Sequence, residues 1–142
     1  MIMRLICLTK EEVAKEVAER ILNLVEKKPD CILGLATGST PIETYNEIIK
    51  GSKERHISFK DVTSFNLDEY VNNSDFSQSY RYFMDSHLFD FIDIKKENTN
   101  FPPETNPSSY DEKIDQAGGI DFQILGIGSD GHIAFNEPGT PF

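Results

Sequence analysis

The chain has 142 residues, with 14 Lys and Arg against 24 Asp and Glu, a formal net charge of -10 and 38% hydrophobic residues. That length suits one domain over residues 1–142 with a sizeable core, and the acidic balance argues against nucleic acid or an anionic membrane surface as partner. No apolar run approaches the roughly 20 residues of a membrane span, "MIMRLICLTKEE" is too short for a signal peptide, and Cys7 and Cys31 suit reduced thiols, so a soluble cytoplasmic protein is expected.

Val13, Val17, Ile21 and Val25 recur at helical spacing, and Thr9 with Glu12 forms a capping box, which predicts a first helix over residues 10–27. After "PD" at Pro29 and Asp30, "CILGLA" reads as a buried strand that ends at "TGSTP". Thr40 as N-cap, Pro41 at the first helical position and Glu43 three after the cap predict a second helix, with Ile42, Tyr45, Ile48 and Ile49 inward and Gly51 as its stop. "DVTSFNL" predicts a second strand that runs into Asp68 and Glu69 and is followed by a polar loop. "SQSYRYFMDSHLFDFI" predicts a third helix packed through Tyr82, Phe83, Leu88 and Phe89, with Tyr80 also in the helix core. Residues 95–109, with three prolines, read as a surface loop. A short helix near "YDEKIDQ" and the strand "DFQILGI" complete the pattern.

Strands that are near-continuous apolar runs, alternating with helices, indicate an α/β fold: a parallel sheet with helices on both faces. In such sheets ligands bind beyond the carboxyl ends of the strands. Three segments fall there: "TGSTP", "DEY" and "GSDGHIAFNEP".

In the first segment, Gly38, Ser39 and Thr40 stand between a strand and a helix start, where free amides and the helix dipole favour an anion such as phosphate. A capped turn accounts for Thr40 and Pro41 but leaves Gly38 and Ser39 without a purpose. In the second, a partly buried Asp68 would have a raised pKa and serve as a proton acceptor, with Glu69 facing the other way by strand alternation; a solvated acidic loop is the alternative. In the third, "LGIGSDGHIAFNEPG" holds four glycines, Asp130, His132 and Glu137. A carboxylate that accepts from one imidazole nitrogen leaves the other free to shuttle a proton. The spacing is not that of a zinc motif and the cysteines are distant, so no metal site is expected.

"LGLATGSTP", "TSFNLDEY" and "LGIGSDGHIAFNEPG", with "SQSYRYFM" and "HLFDFIDIKKEN", together resemble the glucosamine-6-phosphate deaminases over essentially the whole chain. The resemblance implies a modified Rossmann-like α/β fold and hydrolase/isomerase chemistry without a cofactor, converting glucosamine 6-phosphate and water to fructose 6-phosphate and ammonia. It implies that Asp68 moves a proton between C2 and C1 of the opened sugar. It implies that His132, oriented by Asp130 and Glu137, passes a proton to and from the ring oxygen. Thr37, Gly38, Ser39 and Thr40 match the segment that cradles the substrate and its phosphate, and Gly126 matches a main-chain contact. The partner implied is a small-molecule sugar phosphate; the oligomeric state, a homo-oligomer included, stays open.

6-Phosphogluconolactonases are the enzymatic alternative, but that family typically continues the "DGH" loop with a "SLFP"-type segment where this chain has "IAFNEPG". Sugar-phosphate-sensing domains are the non-catalytic alternative; they would be expected to lose the acid-base residues, all four of which are present here. Family chains are longer, and their phosphate-clamping arginine and lysine follow the third motif, beyond Phe142. This predicts an incomplete sheet with an unprotected edge or uncovered apolar surface, and poor turnover by the 142 residues alone. "PGTPF" lacks the paired serines associated with regulated members.

Overall fold

Thr9 opens α1 (Lys10–Lys27) as its spacing from Glu12 predicts. The Glu12 amide donates to Thr9 Oγ1 at 3.3 Å and the Thr9 amide donates to Glu12 Oε2 at 2.9 Å, a reciprocal pair that satisfies donors left free at a helix start. The computed structural model describes residues 3–70, 75–134 and 136–140, apart from the side chain of Phe76. Residues 71–74 of the expected polar loop and Phe135 of the third motif lie outside the described residues.

β1 (Ile32–Leu35), β2 (Thr63–Asn66), β3 (Thr99–Asn100) and β4 (Phe122–Gln123) form one parallel sheet in the order β3-β2-β1-β4. The remaining helices are α2 (Ile42–Glu54), α3 (Tyr80–His87) and α4 (Ser108–Ala117). Alternation along β1 divides its side chains between two cores. Leu33 and Leu35 join Ile21, Val25, Tyr45, Ile48 and Met84 from α1, α2 and α3. Ile32 joins Phe65 of β2 and Tyr110 of α4 on the opposite face. Phe65 and Tyr110 meet edge to face with centroids 5.6 Å apart, and each fully buried side chain of this size stabilises the fold by roughly 1.5–3 kcal/mol. The α/β sheet with helices on both faces is therefore present, with three helices on one side and one on the other.

Several element boundaries depart from expectation. α2 starts behind Pro41 rather than Thr40 and runs through Gly51 to Glu54. Gly51 is no stop: a Cβ there would strike Leu22, so the glycine lets α1 and α2 approach. The third helix ends at His87, because Leu88 leaves the helical region (φ -145, ψ -59), and a separate turn of 3-10 helix covers Phe89–Phe91. Tyr82 is 45% exposed and does not pack the core; Met84 does, and Leu88 and Phe89 beyond the helix do.

The predicted loop at 95–109 contains the edge strand β3, whose polar side chains find partners within the fold. Arg81 donates to Thr99 Oγ1 at 2.9 Å, and Asn100 Nδ2 donates to the Ser64 carbonyl at 3.0 Å. Polar composition therefore does not exclude burial there. The last predicted strand shrinks to Phe122–Gln123; the Ile124 amide makes one more bond to the Gly34 carbonyl, at 2.9 Å, before the chain leaves the sheet. The outer edge of β4 has no partner strand among the described residues, and Leu125 and Ile127 beyond it are exposed. No helix of the described residues is long and apolar enough to cross a membrane.

Candidate active site

β2, β1 and β4 are neighbours and run parallel, so the segments that follow them leave the same edge of the sheet. After β1, the buried Tyr45 of α2 donates its hydroxyl to the Ala36 carbonyl at 2.5 Å, which ties the start of this loop to the core. Gly38 then takes φ 101, a conformation that penalises any Cβ. Pro41 occupies the cap position of α2 and no side chain caps the helix. Capping thus does not account for Thr40; Gly38, Ser39 and Thr40 are exposed before a helix start that attracts anions.

Beyond β2, Asp68 is half-buried. Burial, and secondarily the adjacent Glu69 charge, pushes its carboxyl above the ordinary value. Tyr80, at the first position of α3, stands beside it. Its ring lies 4.6 Å from that of Tyr70, and its amide donates to Glu69, the neighbour of Asp68, at 2.8 Å. Burial, then Tyr70, raises the Tyr80 pKa, and Asp68 adds to the shift. Tyr80 therefore belongs to the candidate site rather than to the helix core. Its signal was available: it follows the cap residue Ser79, and a helix N-terminus in this fold returns to the strand ends.

Beyond β4, His132 Nδ1 lies 2.6 Å from Asp130 Oδ1, and the His132 amide donates to the same oxygen at 3.3 Å. These two bonds, the backbone one first, hold the Asp130 carboxyl below the usual range. The Gly128 amide donates to the His132 carbonyl at 2.8 Å and the Gly131 amide to the Gly128 carbonyl at 2.9 Å, which folds the loop back on itself. A Cβ on Gly128 would come within 2.3 Å of His132 Cε1 and 2.4 Å of Nδ1, too close for either to stay. The absence of a side chain at Gly128 is what gives the imidazole its seat.

The family described as "Glucosamine-6-phosphate isomerases/6-phosphogluconolactonase" matches residues 8–141. The chain belongs to this family. A "Glucosamine-6-phosphate deaminase" of Mycoplasma mycoides subsp. mycoides SC is 52% identical over 145 residues, covering 99% of this chain and 59% of that protein. A monomeric glucosamine-6-phosphate deaminase of known structure superposes with a TM-score of 0.87 at 39% identity, over 95% of this chain and 59% of its own. A 6-phosphogluconolactonase from Plasmodium vivax superposes with a TM-score of 0.71 at 27% identity, over 91% of this chain and 47% of its own. The chain spans about half to three fifths of the length of the curated relatives it matches.

Of the site residues expected for this family, Asp68 stands beside Glu69, which is bonded to the start of α3, and Asp130 and His132 form a pair. Among the described residues no hydrogen bond joins these two groups. Glu137 is exposed, and no hydrogen bond connects it to His132 or Asp130 among the described residues; of the two carboxylates expected to orient the imidazole, Asp130 alone contacts it. Gly126 is exposed with open space around its Cα; in this loop Gly128 is required by the imidazole beside it, and Gly131 (φ 87) and Gly139 (φ 91) by their backbone conformation. Burial pushes the Cys31 thiol up to about 11, while Cys7 is exposed. Among the described residues no group of three or more His, Cys, Asp or Glu side chains is arranged to hold a metal ion.

Proposed function

We propose that the chain carries the acid-base half of a glucosamine-6-phosphate deaminase, acting on a sugar phosphate without a cofactor. One observation carries the reading: a half-buried carboxylate, Asp68, and a carboxylate–imidazole pair, Asp130–His132, stand beyond β2 and β4, the parallel strands that flank β1, with an uncapped helix start beyond β1. The deaminase relative and structural neighbour reported above support the choice of reaction over lactone hydrolysis.

The steps suit these groups. With Nδ1 engaged by Asp130, Nε2 of His132 is the nitrogen free to take the proton of the C1 hydroxyl and pass a proton to the ring oxygen as the ring C1–O bond breaks, which forms the aldehyde. Asp68 then takes the proton from C2 and returns it to C1. A single carboxylate can serve both neighbouring carbons from one position, and its raised proton affinity favours the first transfer. The substrate's ammonium gives a proton to the C1 oxygen in the same rearrangement, which leaves a C2 iminium; water adds to it and ammonia leaves, giving the ketose. Thr37, Gly38, Ser39 and Thr40 and the start of α2 would hold the phosphate. Glu137 joins the ring-opening pair only if binding of the sugar draws its loop inward.

The test is ammonia release from glucosamine 6-phosphate by the purified chain and by Asp68→Asn, with lactone hydrolysis as control. Weak deamination that falls by about 100- to 10,000-fold in the variant is expected. Lactone hydrolysis without deamination, or no saturable binding of the sugar phosphate, overturns the reading.

A further inference from the structure

Glu69 lies next to the proposed base, and its side chain turns to α3. Its Oε1 accepts the amide of Tyr80 at 2.8 Å and that of Tyr70 at 2.9 Å, and its Oε2 accepts the amide of Arg81 at 3.0 Å. Ser79 Oγ accepts the next amide, Tyr82, at 3.1 Å, and the Phe83 amide begins the helical ladder on the Ser79 carbonyl at 3.1 Å. The first-turn amides of α3 are thus shared between an ordinary cap one residue before the helix and a carboxylate 11 and 12 residues upstream. A helix cap needs only the first of these. The second connects α3 to the residue that follows Asp68.

We propose that Glu69 is a positioning residue of the site, clasping the exit of β2 onto the first turn of α3 so that Asp68 and Tyr80 are held side by side beyond the strand ends. One carboxylate thus joins the exit of β2 to the first turn of α3. Ser79 holds the helix start through the Tyr82 amide. The proposal rests on the reading of Asp68 as the base, and adds what keeps that base in place.

The clasp also has an electrostatic consequence. Tyr80 from α3 and Tyr110 from α4 interact with Asp68, and Glu69 flanks it along the chain. Of these three, Glu69 is the carboxylate, and its charge adds to the upward shift of Asp68. The nearest cation of α3, Arg81, is turned away to Thr99, with 2.9 Å and 3.2 Å bonds, and lies over the Phe101 ring. Glu69 therefore opposes ionisation of Asp68, and its neutralisation lowers the pH at which Asp68 loses its proton.

The experiment is carboxyl-carbon NMR titration of Asp68 with amide hydrogen exchange at Tyr80 and Arg81, in the unaltered chain and in Glu69→Gln, Glu69→Ala and Ser79→Ala. In Glu69→Gln and Glu69→Ala the Asp68 midpoint moves to lower pH; in Glu69→Ala the two amides also exchange roughly 5- to 10-fold faster. Ser79→Ala weakens the same helix start but leaves the Asp68 midpoint in place. An unmoved midpoint in Glu69→Gln, or an equal shift in Ser79→Ala, overturns the proposal and reduces Glu69 to a helix cap. These readouts do not depend on turnover. A displaced midpoint in a chain that neither binds nor deaminates the sugar phosphate would leave the clasp standing and defeat the reaction assigned to it.

Discussion

On the β1 and β2 side of the site, Thr37 and Asp68 follow strands whose side chains are buried on both faces, and Tyr45 and Glu69 bind the loops to helices. On the β4 side, Asp130 and His132 follow a two-residue strand, in a loop whose Leu125 and Ile127 are 55% and 76% exposed. There the geometry comes from hydrogen bonds between near neighbours and from the missing side chain of Gly128. Core packing sets the first group and local chain geometry sets the second. Stability and site geometry are consequently coupled on one side and separable on the other.

The largest effect should come from the coupled side. Phe65→Ala removes a ring that is 2% exposed and its edge-to-face contact with Tyr110, at a cost of roughly 3–5 kcal/mol. That is a large part of the 5–15 kcal/mol typical of a domain. Urea unfolding should show the loss, together with loss of sugar-phosphate binding; a variant that binds normally would break the claim that this core sets the site.

An intermediate effect is expected where β4 is fastened to the sheet. Asp121 accepts the Ile32 amide at 2.8 Å and pairs with Lys28 at 2.8 Å, while its own amide donates to the Ile32 carbonyl at 2.8 Å. Asp121→Ala leaves the Ile32 donor without its carboxylate and should cost about 1–3 kcal/mol. The sign with pH follows from the direction of the shift. Lys28 first, then the Ile32 amide, hold the Asp121 carboxyl below its ordinary value. Its contribution is therefore complete above the unfolded carboxylate value of about 4 and disappears as pH falls through the lowered native one. Urea unfolding of both proteins across that window should show the gap between them closing; a gap independent of pH would mean that the carboxylate's charge has no part in the clamp.

The smallest stability effect and the sharpest contrast belong to Gly128→Ala. The loop is solvent-facing, so unfolding should change by no more than about 0.5 kcal/mol. The added methyl group nevertheless displaces the His132 ring, and the Asp130 carboxyl, having lost its imidazole bond, should titrate closer to its ordinary value by NMR. An Asp130 that keeps its lowered value in this variant would show that the imidazole is seated by something other than the glycine.

The legible parts of the sequence were those whose cause is local or periodic. The capping box Thr9–Glu12 and the apolar spacing of Ile21 and Val25 placed α1 to the residue, and the short apolar runs around Leu33 and Phe65 gave two parallel strands with both faces covered. The pairing of Asp130 with His132 was equally readable, because two residues of separation in a glycine-rich loop bring the groups together. β3 was not legible: Thr99 and Asn100 are polar, and their burial depends on Arg81, Ser64 and the strand beside them. Nor was the reach of Gln123 over Gly34, where any Cβ would collide with it.

By itself, then, the amino-acid order determined the helices, the strand cores, the parallel α/β class and the three loops at the strand ends, since each depends on side-chain period, caps and turns within a few residues. Tertiary structure alone decided which neighbours these loops have. That Tyr80 joins Glu69 beside Asp68, that Glu69 thereby ties α3 to the exit of β2, and that Gly51 is a crossing point rather than a helix end all depend on residues brought together across about 11 to 29 positions, a distance over which no local propensity acts.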